Sequence, residues 1–475
     1  MNTQPPCRSS RCSYRTTTCR YSNARADCSP TSPGHAVLGL SSPKFRETDR
    51  QHCSTERYRL AIEKQPVTSS HPRTKRLVWA AAVLVVIGTE TPLSAQQPQV
   101  SLETVDDKSQ TGRLIRLAQN EAVVEIETGD VLRVPVEDLV SMRLRPDVSS
   151  PPRAWLLLAN GDRVDSALDR MTDEALLLEW AVHPDRIELA PPLETVAAKV
   201  VGQPADRGIM RPLLREMTDS QFDEDTLLLL DGSRLSGELT SATREAFNLL
   251  TSVGPAAVDF ERVQALALNS SLTSFPVPDE STAIVQFTDG SWITFQDFTI
   301  DEHFAASGEA QYGQRLACPA ATISRVDFYG PRVTALSDIS PDRVSLTPYL
   351  SRRHEPVADR NVRGGFLRLR GRDYPRGLGM TSGTTANYAL NGEYSFFQTT
   401  VGVDDDAAGL GSVVFSIEVD GDPVYESPPL TGRLPAVETP RIPLVGAQQL
   451  TLRVEFAEFG NIQDVADWCR PILVK

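Results

Sequence analysis

The chain of 475 residues contains 40% hydrophobic and 23% charged residues and carries a formal net charge of −14. This composition is typical of a folded protein and excludes a disordered chain or a multi-span membrane protein. Residues 1–76 hold 14 basic and 5 acidic side chains, and residues 77–95 hold Glu90 alone, which leaves a net charge of −22 on residues 96–475. Because such an acidic region repels nucleic acid and anionic membranes, we expect neither as a partner.

Residues 73–95 have the three parts of a secretory signal: a basic start at 73–76, an apolar run at 77–88 and a small-residue site ending at Ala95. Twelve helical residues reach about 18 Å, short of the roughly 30 Å hydrocarbon core, so we expect no membrane span. The segment predicts export to the periplasm, cell surface or medium with cleavage near Ala95. An uncleaved anchor or a buried helix is the alternative. We interpret residues 1–72 as a disordered or erroneous extension, with translation starting near Val67.

The cysteines and histidines offer no catalytic or zinc-binding pattern. After residue 76 only Cys318 and Cys469 remain, and they either pair in the exported protein or stay free. The histidines beyond the signal, His183, His303 and His354, are far apart in sequence and lack a nucleophile motif. We therefore predict no catalytic residues.

From residue 97 to 330 the chain repeats a pattern of a short apolar run, a turn and a second strand-like run. The turns are 159–163, 230–234 and 288–292, each with Asn-Gly or Asp-Gly at its centre. We expect type I′ hairpins, because both central residues of that turn need positive φ. The four units resemble small SH3-like or Sm-like barrels and suggest a stalk or an interaction array. The predicted units cover residues 97–148, 151–204, 222–272 and 281–330.

The C-terminal region, residues 336–475, has the clearest strand pattern. Apolar residues alternate with polar ones at Leu450, Leu452, Val454 and Phe456, and again at Phe415, Ile417 and Val419. Strict alternation predicts strands with one buried and one exposed face. About 140 residues of such strands suffice for a two-sheet β-sandwich or jelly roll, so the whole protein is predicted to be all-β.

Seven ordered motifs in this region resemble the NPCBM family, a carbohydrate-binding module found with glycosyl hydrolase family 98. The motifs are Tyr374-Pro-Arg-Gly-Leu-Gly379, Tyr388-Ala-Leu390, Tyr394-Ser-Phe-Phe397, Val401-Gly-Val-Asp-Asp405, Gly411-Ser-Val-Val-Phe415, Val419-Asp-Gly421 and Asp464-Val-Ala-Asp-Trp468. The resemblance implies a galactose-binding-like jelly roll that presents ligand sites on its rim loops. It also implies attachment to secreted, sugar-active proteins.

Two positions depart from the family pattern. The family's G-L-G-x-H ends here in Thr381, and its D-H-A-D-W has Val465 in second place. Both family histidines are therefore absent. This points either to an altered ligand or to a fold that has lost its sugar site.

Sugar recognition needs an aromatic face together with polar groups that pair with hydroxyls. Trp468 with Asp464 and Asp467 is one candidate set, and Tyr374 with Arg376 is another. The alternative is that Trp468 fills the core while the aspartates bond backbone N–H groups. Tyr374 and Arg376 equally fit an ordinary hairpin end beside the turn-forming glycines 377 and 379.

The run Asp404-Asp405-Asp406 is a candidate calcium loop, because hard cations bind clustered oxygens. Calcium is therefore the one cofactor considered. The run lacks the alternating spacing of an EF-hand, which favours a solvated turn instead.

The sequence as a whole predicts a secreted, non-catalytic carbohydrate-binding protein whose partner is a glycan or polysaccharide. One alternative is a cell-envelope scaffold that has lost sugar binding and contacts envelope proteins through its repeats. Another is a glycoside hydrolase with an accessory module, which needs two carboxylates roughly 5 to 10 Å apart in a cleft. The repeats of about 55 residues are too small for a barrel enzyme of about 250 residues.

Overall fold

The computed structural model describes residues 98–146, 154–182, 186–201, 222–277, 281–347, 354–458 and 460–475. The predicted signal at 73–95, the preceding extension and His183 lie outside these residues. Residues 88–475 form one compact unit. Within the described ranges there are strands and short 3-10 turns but no α-helix, so the all-β prediction is confirmed. None of the described segments is a helix long and apolar enough to cross a membrane.

Units 1 to 3 each contain five strands and share one order. Unit 1 has β1 (Gln99–Thr104), β2 (Ser109–Leu117), β3 (Glu121–Ile126), β4 (Val131–Pro135) and β5 (Leu139–Arg143). Unit 2 has β6 (Trp155–Leu158), β7 (Arg163–Met171), β8 (Leu176–Trp180), β9 (Ile187–Leu189) and β10 (Val196–Val200). Unit 3 has β11 (Asp225–Leu229), β12 (Arg234–Ala242), β13 (Ala246–Thr251), β14 (Gly254–Asp259) and β15 (Val263–Ala267).

In unit 4 two short strands take the place of the long second strand of the other units. It has β16 (Thr282–Phe287), β17 (Trp292–Phe295), β18 (Thr299–Ile300), β19 (Ala305–Glu309), β20 (Arg315–Pro319) and β21 (Ile323–Tyr329). In every unit a 3-10 turn precedes the last strand; these turns are Val136–Asp138, Leu193–Thr195, Phe260–Arg262 and Ala320–Thr322. A further 3-10 turn, Ser270–Leu272, follows unit 3.

The last strand of each unit pairs with the first. In unit 1 the hydrogen-bonded order is β4-β3-β2-β1-β5, so the sheet is open rather than a closed barrel. The last strands also join units: β5 pairs with β21, and β10 pairs with β15. The units are consequently fused edge to edge and do not form the string of separate domains that a stalk requires.

The hairpin turns of units 2 to 4 differ from the predicted type. Only the glycines, Gly161, Gly232 and Gly290, have positive φ, between 82° and 92°. In unit 2 the Gly161 N–H donates to Leu158 O at 3.0 Å, and the Leu158 N–H donates to Asp162 O at 2.9 Å. This is a three-residue loop with a left-handed glycine after the turn, the geometry of a type I turn with a G1 bulge. The type I′ prediction was wrong here because the loop has one residue more than that turn allows.

The C-terminal region is a sandwich of two main sheets. One sheet contains β22 (Val333–Ala335), β24 (Val357–Ala358), β27 (Gly377–Thr381), β29 (Phe396–Val403), β33 (Val437–Glu438), β34 (Ile442–Pro443) and β36 (Val465–Val474). The other contains β23 (Arg343–Leu346), β28 (Thr384–Ala389), β30 (Ser412–Val419), β31 (Asp422–Glu426), β32 (Leu430–Thr431) and β35 (Gln449–Phe456). A separate hairpin joins β25 (Leu367–Leu369) to β26 (Arg372–Tyr374), and 3-10 turns occupy Leu336–Asp338 and Asp405–Ala407.

The sandwich core lies between the two sheets. Leu450, Leu452 and Val454 of β35 are fully buried, as are Phe415 and Ile417 of β30, so the predicted alternation identified the inward faces. Their polar neighbours are less uniform, because Thr451 is also buried.

The repeats pack directly on the sandwich through an aromatic cluster. Trp155 of β6 and Trp292 of β17 meet Phe366 of the sandwich edge to face, with ring centroids 5.2 and 5.3 Å apart. The Arg163 guanidinium lies within this cluster, 3.9 Å from the Trp292 ring centre, and its Nη2 donates to Asp373 at 2.7 Å. Apolar burial and a shielded ion pair therefore hold the two regions together.

Candidate functional site

The two positions that depart from the family pattern face each other directly. Thr381, at the end of β27, is paired in register with Val465, at the start of β36. Residues directly opposite in an antiparallel pair project from the same face of the sheet. The two missing histidines are therefore one cross-strand pair, and their replacement changes a single place on the sandwich.

Asp464, next to this pair, closes the end of the sandwich. Its carboxylate accepts hydrogen bonds from Ser382 Oγ at 2.6 Å and from the Ser412 backbone N–H at 2.9 Å. Burial raises the pKa of Asp464, and these two hydrogen bonds oppose that effect. The side chain is buried and joins the ends of three strands, β27, β30 and β36.

Trp468 is enclosed within the sandwich. Its ring is fully buried and meets Phe415 edge to face, with centroids 5.0 Å apart. The indole Nε1 has no hydrogen-bond partner among the described residues. Since no part of the ring reaches solvent, this tryptophan contributes to the core and offers no stacking surface to a sugar.

Asp467 and Asp404 form a buried pair of carboxyl groups. Burial raises the pKa of both, and that of Asp467 is raised furthest because the Asp404 charge adds to its desolvation. Asp404 accepts hydrogen bonds from the Arg368 N–H at 2.9 Å and the Asp406 N–H at 2.6 Å, which stabilise its ionised form. Asp467 is therefore the protonated member of the pair and can donate to Asp404.

The other two aspartates of the run bind the protein's own amide groups. Asp405 accepts from the backbone N–H of Arg370 at 3.0 Å and of Gly371 at 2.7 Å. Asp406 accepts from Asn361 Nδ2 at 3.0 Å. The described part of the chain contains no group of three His, Cys, Asp or Glu side chains that could hold a metal. The run fixes neighbouring loops, and the calcium hypothesis gains no support from its geometry.

Tyr374 and Arg376 also have internal partners. Tyr374 is buried beside Leu367 in a small apolar cluster. Arg376 donates to Asp359 at 2.7 Å and to Asp338 at 2.8 Å. Burial acts to lower the pKa of Arg376, but the two carboxylates outweigh it, so the pKa is raised. This arginine holds chain segments together and is not a free donor at a rim.

The glycines of the Gly377-Leu-Gly379 motif lie inside β27 and not in a turn. Neither has a positive φ. A Cβ on Gly379 would lie 2.4 Å from Arg360 O, and one on Gly377 would lie 2.5 Å from Trp468 O. Both positions require glycine because the segment around Arg360 and the neighbouring strand β36 approach too closely for a side chain.

The sequence-predicted residues thus make contacts within the protein, and a different set of exposed or half-buried residues lies at the same end of the sandwich. We call this set the rim: Arg363, Thr381, Leu410, Ile462 and Gln463. Leu410 and Ile462 are exposed apolar side chains, at 50% and 63%. Arg363 Nη1 donates to Asp406 O at 2.8 Å, and its Nη2 contacts Gln463 Oε1. No local sequence pattern predicted the rim, because its residues come from four separate loops or strand ends.

The two cysteines and the two described histidines lie apart. Cys318 and Cys469 are both free thiols, so the disulfide alternative is not realised. His303 is exposed and His354 half-buried, on unit 4 and the sandwich respectively. They form no shared site.

The C-terminal region is similar to several known proteins. Residues 332–474 match the family model described as NPCBM/NEW2 domain, which confirms the resemblance found in residues 336–475. Among curated proteins, "Putative endo-alpha-N-acetylgalactosaminidase" of Renibacterium salmoninarum is 34% identical over 105 residues, 22% of this chain and 7% of that protein. The chain therefore spans only a small part of that relative's length.

Solved structures of similar modules also match. CBM51 from Clostridium perfringens GH95, in complex with methyl-galactose, is 24% identical, covers 30% of this chain and 99% of its own, and gives a TM-score of 0.28. The tandem CBM51 modules of the Streptococcus pneumoniae family 98 glycoside hydrolase are 11% identical, cover 79% of this chain and 88% of their own, and give 0.27. The family match covers residues 332–474, 143 of the 475 residues of the chain.

Proposed function

We propose that this protein is an exported, non-catalytic carbohydrate-binding protein and that the rim of its NPCBM-type domain contacts the glycan. The observation that carries the proposal is the family match over residues 332–474, which coincides with the complete sandwich from β22 to β36. The named activity of the curated relative suggests glycans that contain N-acetylgalactosamine as the first ligands to test.

The rim has both kinds of group that a sugar needs. Leu410 and Ile462 supply exposed apolar surface for the C–H face of a pyranose. Arg363 and Gln463, which already contact each other, supply donors and an acceptor for hydroxyl groups. Gly411 allows these parts to meet: its φ is +80°, and a Cβ there would lie 2.4 Å from Gln463 O.

Asp464 is the one residue of the sequence-predicted set that borders the rim. It positions Ser382 and the start of β30 through two hydrogen bonds, so it acts on the site through other groups. Thr381, which is half-buried, and Val465, which is buried, stand in place of the family histidines, so no imidazole borders the rim at these two positions. We expect a ligand preference that depends more on apolar contact than on hydrogen bonds to imidazole.

A second candidate function is an envelope scaffold that has lost sugar binding. It is favoured by a specific observation: Asp464, Asp467, Trp468, Tyr374 and Arg376 are all engaged in contacts within the protein. In this case the repeats fused to the sandwich provide the surface for envelope proteins. The two functions differ in whether the rim binds any glycan.

The first experiment is a glycan array with the full chain, using Leu410→Ser with Ile462→Ser as the rim variant. The control is Val445→Ser, an equally apolar and more exposed position that precedes β35, at the opposite end of the sandwich. We expect saturable binding that the rim variant weakens at least tenfold and the control leaves unchanged. Absence of binding across the array would favour the scaffold.

Export is tested separately. N-terminal sequencing of protein recovered from outside the cytoplasm should begin at Gln96 if the segment ending at Ala95 is cleaved. Recovery of any peptide from residues 1–60 would contradict both the cleavage and the late translation start.

A further inference from the structure

A polar recess of about 330 Å³ lies where unit 1, unit 4 and the sandwich meet. Unit 1 contributes Ser101 and Arg143, and unit 4 contributes Arg325. The sandwich contributes Gln398 and Glu438. The recess is separate from the rim, and its volume suits a ligand the size of a monosaccharide.

Two arginines face each other on one wall of the recess. Arg143 of β5 is directly paired in register with Arg325 of β21. Their outer neighbours in the same row are Ser101 of β1 and Gln286 of β16, which are uncharged. Like charges directly opposite in a sheet destabilise the pair. Because this row contains two facing arginines and no acid, a bound anion reduces the repulsion between the two positive charges.

The nearby carboxylates are already engaged by other groups. Glu103 accepts from Arg470 Nη2 at 2.6 Å and from Ser141 Oγ at 3.0 Å. Asp327 is shared by Arg325 Nε at 2.7 Å and Arg470 Nε at 3.0 Å. Both acids thus accept hydrogen bonds from Arg470 of the sandwich. Neither forms an ion pair with Arg143.

Arg325 and Gln398 leave polar atoms unpaired beside the recess. Arg325 is only 3% exposed, and its Nη2 has no hydrogen-bond partner among the described residues. The same holds for Gln398 Oε1, although its Nε2 donates to Glu438 at 3.2 Å. An unpaired buried donor or acceptor costs about 1–3 kcal/mol. A bound group that both accepts from the arginine and donates to the amide removes that cost.

The electrostatic surroundings of Arg325 are consistent with a missing anion. Burial lowers the pKa of its guanidinium, Asp327 opposes this, and the neighbouring arginines Arg470 and Arg372 lower it further. Two carboxylates, Asp327 and Glu103, therefore compensate the positive charges of Arg325 and Arg470, while Arg143 adds a further positive charge on the wall of the recess.

We propose that this recess is a second ligand site, which binds a monosaccharide unit carrying an oxyanion. Arg143 and Arg325 hold the oxyanion, because guanidinium groups bind carboxylate or sulfate oxygens in a bidentate manner. Gln398, Glu438 and Ser101 pair with the sugar hydroxyls. The proposal does not depend on the rim.

The test is calorimetric titration of the full chain with galacturonic acid, galactose 6-sulfate, neutral galactose and inorganic sulfate. The first two ligands distinguish a carboxylate from a sulfate as the oxyanion. The variant is Arg143→Met, chosen because Arg143 is exposed and its loss leaves no buried charge unpaired. The matched control is Arg145→Met, an exposed arginine two residues further along the chain that lies outside the recess.

We expect at least one of the two charged sugars to bind saturably, with affinity lowered tenfold or more by Arg143→Met and unchanged by Arg145→Met. Neutral galactose should bind to Arg143→Met and to the parent protein with the same affinity. Failure of both charged sugars to bind the parent, or equal binding to Arg143→Met, would overturn the proposal. Inorganic sulfate binding as tightly as the sulfated sugar would overturn the assignment of a saccharide. Thermal melting of each variant confirms that it is folded.

Discussion

Among the described residues, the repeats bury cations as well as acids, whereas the charged side chains that the sandwich buries are all carboxylates. Unit 2 buries two cations: Lys199 donates to three backbone carbonyls, including Ser166 O at 2.6 Å, and Arg163 lies among aromatic rings. The sandwich buries carboxylates, with Asp404 bonded to backbone N–H groups and Asp467 paired with it. Lys199 therefore joins strands within unit 2, and Arg163 joins unit 2 to unit 4 and to the sandwich. The carboxylates of the sandwich instead fix individual loops at strand ends.

The largest expected loss of stability comes from removing the Arg163 guanidinium, which lies between the repeats and the sandwich. Arg163→Ala leaves Asp373, which is 14% exposed, with only its longer contact to Arg368 at 3.5 Å, and opens a gap among the rings of Trp155, Trp292 and Phe366. Breaking a buried ion pair costs about 3–5 kcal/mol. Chemical denaturation should show this loss. The matched control, Arg244→Ala, removes a half-exposed arginine that pairs with Asp169 and should cost less than about 1 kcal/mol. Equal effects would contradict the comparison.

The buried lysine should make stability rise with pH. Burial lowers the pKa of Lys199 to about 7, below its ordinary value near 10.5. Between these values the unfolded chain binds the proton and the folded protein does not, so stability increases with pH by at most about 1.4 kcal/mol per pH unit. Lys199→Met should abolish this slope in urea melts between pH 7 and 10. A slope that survives in the variant would assign it to other groups.

The buried carboxyl pair should have the opposite pH dependence. Because the pKa of Asp467 is raised by burial and by Asp404, the folded protein retains a proton that the unfolded chain loses above about pH 4. Stability therefore falls as the pH rises from that value. Asp467→Asn keeps a donor toward Asp404 and should remove the fall, leaving the variant more stable than the parent at pH 7. Asp422→Asn, at an exposed carboxylate, should change nothing.

The smallest expected loss of stability comes from substitutions in the hairpin turns, whose type differs between the repeats and the sandwich. In the sandwich, Asp420 and Gly421 both have positive φ, at 53° and 90°, as a two-residue type I′ hairpin requires. In unit 3 the corresponding Asp231 does not, and its carboxylate accepts from the N–H and the Oγ of Ser233, at 2.9 and 2.5 Å. We expect Asp420→Ala to cost about 1–2 kcal/mol and Asp231→Ala less than about 1 kcal/mol. Thermal melts that reverse this order would contradict the assigned turn types.

Local patterns predicted the fold well. The alternation around Leu452 and Ile417 placed both strands and their inward faces, since burial of one face imposes a period of two. The Asp-Gly turns were found at the right positions, but their type depends on loop length, and one residue separates the two geometries. The interpretation of Trp468 as a core residue is the one that its full burial supports.

The site was less accessible to sequence reasoning. Asp467 looks like a ligand in the sequence because a carboxylate beside a tryptophan is typical of sugar sites. Its partner Asp404 lies more than 60 residues away, and only the register of β29 against β36 brings the two together. The facing of Arg143 and Arg325 likewise depends on pairing between units 1 and 4, which no local pattern reports.

The pairing of β5 with β21 also affects how the chain is assembled. Strand β5 ends at residue 143, and its partner begins at residue 323. Until unit 4 has emerged from the ribosome, the backbone donors and acceptors on that side of β5 have no partner, and the edge can pair with another molecule. A long sequence separation also slows the encounter of the two strands. Fragments that end after unit 3 should aggregate, whereas the chain that includes unit 4 covers its own edge.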